Sequence, residues 1–426
     1  MPRTRNNVLL MLIYIVFTTL ILYYFDGGIK IGSFTVMYRY MLAAVLIVIG
    51  LFCFLAEADL SRAPVLAKDA LVHFLPYMLG LGISVVIWII RRPGLTTMTR
   101  GGFYVVYMFI ALLTALSYVA VFGRNSVYVL LAALVAGNLL VIYSYGIKTG
   151  GASAWVSNYI QQIVTFTQAE DAFPQIEDAD IQFAFGCMIL YFAFDDGEKL
   201  SRRIMCIAIS LVFFAVGLKR ITVFALVAAL LIAGIAGRKK RRSDVQLVRL
   251  FAAVLAAALF AYVVVGKIDL LEWLYDYFDI DTKGRTDFMT FIDTYYYISP
   301  AYIGYGFGYV NRLMEVLYNA GRIDAAVLHN DILRLYVELG FWGFIVFAVT
   351  YWYTRLDFFI RQRSRQVFRI VLAVVIYLTV TYLTDNTLFY FNINLAAFTA
   401  MLSAERPMST GPERPERPVS DTITKN

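Results

Sequence analysis

Residues 103–122 read FYVVYMFIALLTALSYVAVF, twenty positions without one charge. A helix crossing the hydrocarbon of a bilayer needs about 20 apolar residues, because its backbone polar groups must be satisfied within the segment. Similar apolar runs cover 8–25, 34–56, 71–90, 127–146, 181–195, 204–219, 221–237, 247–265, 333–353, 368–384 and 388–403. The pattern predicts an all-α polytopic membrane protein with about twelve transmembrane helices. Composition agrees. Of 426 residues, 60% are hydrophobic and 16% charged, whereas soluble domains have roughly 45–50% and about 25%. A soluble globular enzyme is excluded, and 16% aromatic residues exclude low-complexity disorder.

The net charge of +7 sits mostly in short loops between the runs. That is a topology signal and not a nucleic-acid surface. Arg3 and Arg5 precede the first run with no small-residue cleavage site, as in a retained signal anchor. With that end in the cytoplasm, Arg62, Lys68, Arg124, Lys199, Arg202, Arg203, residues 238–242 and the Arg361, Arg363, Arg365 cluster all fall inside. The opposite loops are acidic: 266–332 holds ten Asp or Glu against five Lys or Arg. Arg91, Arg92 and Arg100 dissent and land outside. The expected organisation is helices one to nine in 1–265, a large, partly helical external loop in 266–332, helices ten to twelve in 333–403, and a Pro-rich disordered cytoplasmic tail in 404–426.

Cys53, Cys187 and Cys206 lie inside apolar runs without metal-ligand spacing, and only His73 and His329 could supply imidazole. No metal site or cofactor is expected. His73 lies on the cytoplasmic side of the third run and reads as structural.

Several residues require an explanation. Arg39 lies inside the second run, where a charge costs at least about 2.5–3.5 kcal/mol. It either snorkels to the interface or serves an anion site. Lys219 and Arg220 interrupt two adjacent runs at the outer surface, as a helix break or as a cationic patch. Arg285 stands in the outer loop. Arginine binds phosphate oxygens through a planar, bidentate fork, so these groups would suit a diphosphate. Gly304, Gly306 and Gly308 permit positive φ, either for a turn or for close approach to a ligand. Tyr305 and its neighbours either mark the interface or stack on sugars. His329 and Asn330 close the loop. Arg334 and Glu338 follow with i, i+4 spacing and can pair on one helix face. Gly340 and Gly343 would allow close helix contact. Histidine titrates near neutrality and suits proton transfer.

The order of Gly284-Arg285, the glycine-rich turn, His329-Asn330 and Glu338-Leu339-Gly340-Phe341-Trp342-Gly343 resembles the O-antigen ligase and polymerase superfamily. Arg220 matches the arginine that this family carries at the outer end of a mid-chain helix. The resemblance implies a GT-C-like fold in the bacterial cytoplasmic (inner) membrane, with a periplasmic site. It implies inverting, metal-independent, cofactor-free glycosyl transfer from an undecaprenyl-diphosphate-linked oligosaccharide. His329, Arg285 and Arg220 would be catalytic. Arg39, Lys219, Gly304, Gly306, Gly308, Tyr305, Asn330, Arg334 and Glu338 would bind substrate. A Wzy-like polymerase of O-antigen, capsule or exopolysaccharide is favoured over a ligase acting on lipid A core or protein. The implied partners are the lipid-linked oligosaccharide, the bilayer, and a chain-length regulator or flippase. A lipid-linked oligosaccharide transporter is the competing class, but it would spread its charges through both bundle halves.

Overall fold

A computed structural model describes residues 7–23, 28–31, 34–57, 63–147, 151–165, 181–217, 220–236, 242–267, 273, 291–323 and 327–404. Among the described residues, each of the twelve apolar runs is mostly helix. In chain order the helices are α1 (Val8–Leu22), α2 (Tyr38–Glu57), α3 (Ala63–Arg91), α4 (Leu95–Phe122), α5 (Ser126–Val141), α6 (Ala152–Thr165), α7 (Ile181–Phe194) and α8 (Leu200–Val216). There follow α9 (Arg220–Ile235), α10 (Arg242–Lys267), α11 (Tyr309–Asn319), α12 (Asp331–Ala348), α13 (Arg355–Gln362), α14 (Arg365–Thr384) and α15 (Phe391–Ser403). A π turn, Val349–Thr354, joins α12 to α13, so Asp331–Gln362 is one rod.

Among the described residues, six helical stretches are long and apolar enough to cross a membrane. Leu95–Ser144 is one of them; Gly123, with φ of 57°, interrupts it and caps α4. Helices α1, α7, α9 and α15 are apolar but shorter. The chain is a multi-pass membrane protein. Helices α14 and α15 form its centre and are buried along most of their lengths. Leu51, Phe52 and Leu55 of α2, and Leu247, Leu250 and Val254 of α10, are exposed, as expected of side chains that face lipid.

One expectation needs correction. The run 34–56 does not begin as helix. Gly28–Ile31 (β1) and Phe34–Met37 (β2) pair as an antiparallel hairpin, with Ile31 opposite Phe34. Phe34, Thr35 and Val36 are aromatic or β-branched and suit a strand. Helix α2 therefore starts at Tyr38. Arg39 stands in its first turn, half-buried, and not one and a half turns inside the run.

Side-chain hydrogen bonds tie the helices where a bilayer offers no water. The Tyr14 hydroxyl donates to the Leu46 carbonyl at 3.0 Å, and Ser117 Oγ donates to the same oxygen at 2.6 Å. At the end opposite His329, buried Asp195 accepts from Arg124 at 2.7 Å and from Gln366. Asp69 accepts from Arg363 Nε at 2.9 Å, and Asp357 accepts from Arg249 at 2.6 Å. Arg124 and Arg363, two arginines of the basic loops, thus lock helix ends together. His73 is fully buried and stacks on Phe359, with ring centroids 4.8 Å apart.

The charge alternation expects the His329 end to face outward. In a background without Cys53, Cys187 and Cys206, a cysteine replacing exposed Tyr318 should react with a membrane-impermeant maleimide on intact cells. One replacing Arg361, exposed at the other end, should react only after permeabilisation. The reverse pattern would invert the topology.

Candidate functional site

The site begins with the start of α12. Asn330 is its N-cap: Oδ1 accepts from the Leu333 N–H at 2.9 Å, the usual device for a free helical donor. Its Nδ2 donates to the Tyr262 hydroxyl at 2.8 Å, and that hydroxyl donates to the Leu383 carbonyl at 3.2 Å. Asn330 is thus committed to holding α12 against α10 and α14.

Inside α12, Arg334 and Glu338 form the expected i, i+4 pair, with Nε 3.3 Å from Oε2, and both are buried. Asp331 lies 3.8 Å from Arg334 Nη1. The guanidinium carbon sits 4.7 Å from the Tyr104 ring centroid and 4.8 Å from that of Phe389, and those centroids are 5.1 Å apart, so the cation rests beside the paired rings. Asp331 Oδ2 accepts the Leu388 N–H at 2.6 Å. Glu338 Oε1 accepts the Val310 N–H at 3.0 Å. One ion cluster therefore fixes the start of α11 and the connection from α14 to α15.

Gly340 was expected to permit close helix contact. Instead it breaks the helix, with φ 72° and ψ −176°. The break frees backbone groups near it, and the glycine-rich turn takes them up. The Glu338 carbonyl accepts from Tyr305 N–H at 3.1 Å and Gly306 N–H at 2.6 Å, while Phe341 N–H donates to the Tyr302 carbonyl at 2.8 Å. The Tyr302 hydroxyl donates to the Val337 carbonyl at 2.9 Å. Gly343 does make the close contact: a Cβ there would lie 3.0 Å from Ile83 of α3.

Gly304, Gly306 and Gly308 all have φ between 79° and 87°. A Cβ at Gly304 would lie 2.5 Å from the Glu338 carbonyl oxygen, and one at Gly308 would lie 2.6 Å from the Thr97 carbonyl oxygen. The turn is thus packed against α12 and α4. Arg91 Nε donates to the Gly304 carbonyl at 2.6 Å, and its guanidinium sits 4.3 Å from the Tyr305 ring centroid. Tyr305 also stacks on Tyr309 at 4.0 Å and 9°, so its two faces are covered by Arg91 and Tyr309. Arg100 pairs with Glu315 at 2.8 Å, and Arg312 joins at 3.0 Å. Their hydrogen bonds, Arg100's foremost, hold the Glu315 carboxyl below the usual range. Arg91 and Arg100, which broke the charge alternation, are thus tied to the segment 302–315.

His329 is different. Its side chain is 39% exposed, and Nδ1 lies 3.3 Å from Oδ1 of Asp385, which is nearly buried. Asp385 caps the end of α14 and accepts the Asn386 N–H at 2.9 Å. A neutral imidazole that donates from Nδ1 to a carboxylate keeps a lone pair on Nε2. Among the described residues, Nε2 makes no hydrogen bond. Asp385 was absent from the sequence candidates. The available signal was an Asp in the short break between the last two apolar runs.

Arg39 lies at the same end of the bundle, its guanidinium 4.9 Å from the Tyr40 ring centroid. Tyr40 stacks on Tyr107 at 4.3 Å and meets Phe391 edge-on at 6.0 Å. The connection 385–391 therefore has His329 near its start and the Arg39–Tyr40 group near its end. Lys219 and Arg285 lie outside the described residues. Arg220 opens α9, and its side chain also lies outside them.

Residues 205–348, from α8 to the end of α12, match the family profile described as O-antigen ligase. The match places residues 205–348 in the O-antigen ligase/polymerase superfamily. No curated protein matches the chain. The matched stretch contains Arg220, Arg285, the three glycines, His329, Asn330, Arg334 and Glu338. Asp385, Arg91 and Arg39 lie beyond it.

The Gly340 break can be tested directly. Alanine there would hold a strained φ and place its Cβ 2.3 Å from the Ile303 carbonyl carbon. Gly340→Ala should cost at least about 1–3 kcal/mol, read as a lower unfolding temperature in detergent. Gly102→Ala, in open space on α4, should match wild type. Equal melting of all three proteins would show that the break is not needed.

Proposed function

We propose that this protein is a bacterial surface-polysaccharide polymerase, joining undecaprenyl-diphosphate-linked repeat units on the periplasmic face of the cytoplasmic membrane. The observation that carries this reading is the His329–Asp385 pair, a half-exposed imidazole backed by a nearly buried carboxylate at one end of a membrane bundle. The superfamily supplies the reaction class.

In this reading the acceptor sugar hydroxyl attacks the anomeric carbon of the donor. The new C–O bond forms as the bond to the diphosphate oxygen breaks, and the electron pair leaves with the diphosphate. Nε2 of His329 takes the hydroxyl proton. Asp385 keeps the ring oriented and stabilises the imidazolium that results. Attack from the face opposite the leaving group inverts the anomeric centre. Arg220 and Arg285, with Arg39 and Lys219, offset the charge on the departing diphosphate, the role a metal ion has in other transferases. Arg334, Glu338, Asn330 and the glycine turn act by position: they hold α12 and the loop that carries His329. A chain-length regulator or a flippase would supply or limit the chain.

The description of the matched family favours a second reading, in which the glycan passes to lipid A core or protein. Purified protein with a lipid-diphosphate oligosaccharide separates the readings. Lengthening ladders support the polymerase, transfer to added lipid A core supports the ligase, and absence of bond formation refutes both in favour of transport.

His329→Ala should lower turnover about 10²–10⁴-fold, the usual contribution of general-base assistance, with little change in melting. Asp385→Asn, which cannot stabilise imidazolium, should fall between His329→Ala and wild type. Normal turnover in both variants would remove the pair from the reaction. A near-normal rate in His329→Gln would assign His329 to orienting the acceptor.

A further inference from the structure

Arg334 and Arg363 are largely buried, and each has a carboxylate, Glu338 and Asp69 respectively. Arg355 is buried without one. It opens α13 directly after the π turn and is 1% exposed. Among the described residues its partners are one carbonyl and one ring. Nη2 donates to the His73 carbonyl at 2.8 Å, and the guanidinium carbon lies 4.0 Å from the Tyr351 ring centroid. Its Nε makes no hydrogen bond. The acids nearest in the chain are committed elsewhere. Asp357 accepts from Arg249 through Oδ1 and from Arg361 through Oδ2, and both oxygens of Asp69 accept from Arg363.

His73 shares this surface. Arg355 and Phe359 are i, i+4 on α13 and lie on one face. His73 stacks on Phe359 while its carbonyl takes the Arg355 hydrogen bond. The imidazole and the guanidinium therefore occupy the face of α13 that α3 covers. His73 is fully buried, and neither of its ring nitrogens makes a hydrogen bond. Polar neighbours on the π turn are already satisfied: the Tyr351 and Tyr382 hydroxyls bond each other at 2.8 Å, and Trp352 Nε1 donates to Thr379 at 2.6 Å.

A guanidinium is all donor, and a neutral imidazole has one N–H to give. An uncompensated buried charge is strongly destabilising, and unsatisfied buried donors add to its cost. The complement of this pair is a small anion with a single negative charge. A dianion would leave an uncompensated charge in the bundle. The rings of Tyr351, Phe359 and Phe398, the last 6.3 Å from the His73 ring, pack around the pair and favour a monatomic ion.

We propose that Arg355 and His73 hold a chloride ion at the end of the bundle opposite His329, and that this ion clamps α3 to the start of α13. The site is independent of the glycosyl-transfer reading and is tested without activity.

Equilibrium dialysis of the purified full-length protein against radiolabelled chloride should find one ion per chain. Excess bromide should displace it. Sulfate at equal ionic strength should not, whereas an exposed basic patch would prefer the dianion. Chloride at about 100 times its Kd should raise the folded-to-unfolded ratio about 100-fold over gluconate buffer, read as a higher melting temperature. Arg355→Met keeps side-chain length without the charge; it should bind no ion and melt alike in chloride and gluconate. His73→Phe keeps a ring against Phe359 but has no N–H, and should weaken binding about tenfold or more. Displacement by sulfate as readily as by bromide, or unchanged affinity in either variant, would overturn the proposal. Absence of a bound ion with equal melting in the two buffers would also overturn it and assign these donors to buried water. If Arg355→Met does not fold, the affinity of His73→Phe decides in its place.

Discussion

The ion pair between Arg334 and Glu338 is the interaction on which the rest of the site depends. Two charges buried in a membrane bundle each carry a desolvation cost of several kcal/mol. Such a pair persists only where further contacts offset that cost. Here Glu338 accepts the Val310 N–H at the start of α11, and Arg334 lies against the Tyr104 and Phe389 rings with Asp331 beside it. The offsetting contacts come from α4, the start of α11 and the 385–391 connection. Stabilising the charges and assembling the site are therefore one event. Losing one partner of such a pair costs about 3–5 kcal/mol, since the other charge is left buried and uncompensated.

That hub explains a division of labour within the motif. The glycines, Asn330, Arg334 and Glu338 have their polar groups turned to protein. His329 alone among the described motif residues keeps substantial exposure while one ring nitrogen is held. Asp385 reaches it because Asp331 holds Leu388, three residues further along the same connection. The motif residues around His329 act through the imidazole they position.

Much of the architecture was legible in the sequence, for a physical reason. A bilayer demands long apolar helices, and composition records that demand without ambiguity. The Arg334–Glu338 pair was legible because i, i+4 spacing is local. The strand at 34–37 was not, because a strand and a helix start are equally apolar there. The Gly340 break was hidden because a glycine in a helix can signal either a close contact or an end. Arg91 and Asp385 were invisible as partners: the first reaches Gly304 across 213 positions of sequence and the second reaches His329 across 56. The dissent of Arg91 and Arg100 from the charge rule did mark them. Arg91 bonds the Gly304 carbonyl and Arg100 bonds Glu315, so each is fixed by the segment it reaches.

The break at Gly340 also separates two chemical environments along one rod. Before it, Asp331, Arg334 and Glu338 place three ionisable side chains within eight residues. After it, Phe344 to Val349 present an apolar wall to the alanines of α10. A straight helix would carry the glycine turn's hydrogen-bond partners within its own ladder and leave the turn unheld. Because the rod is broken there, its upper part meets the turn and the polar cluster, and its lower part meets hydrocarbon.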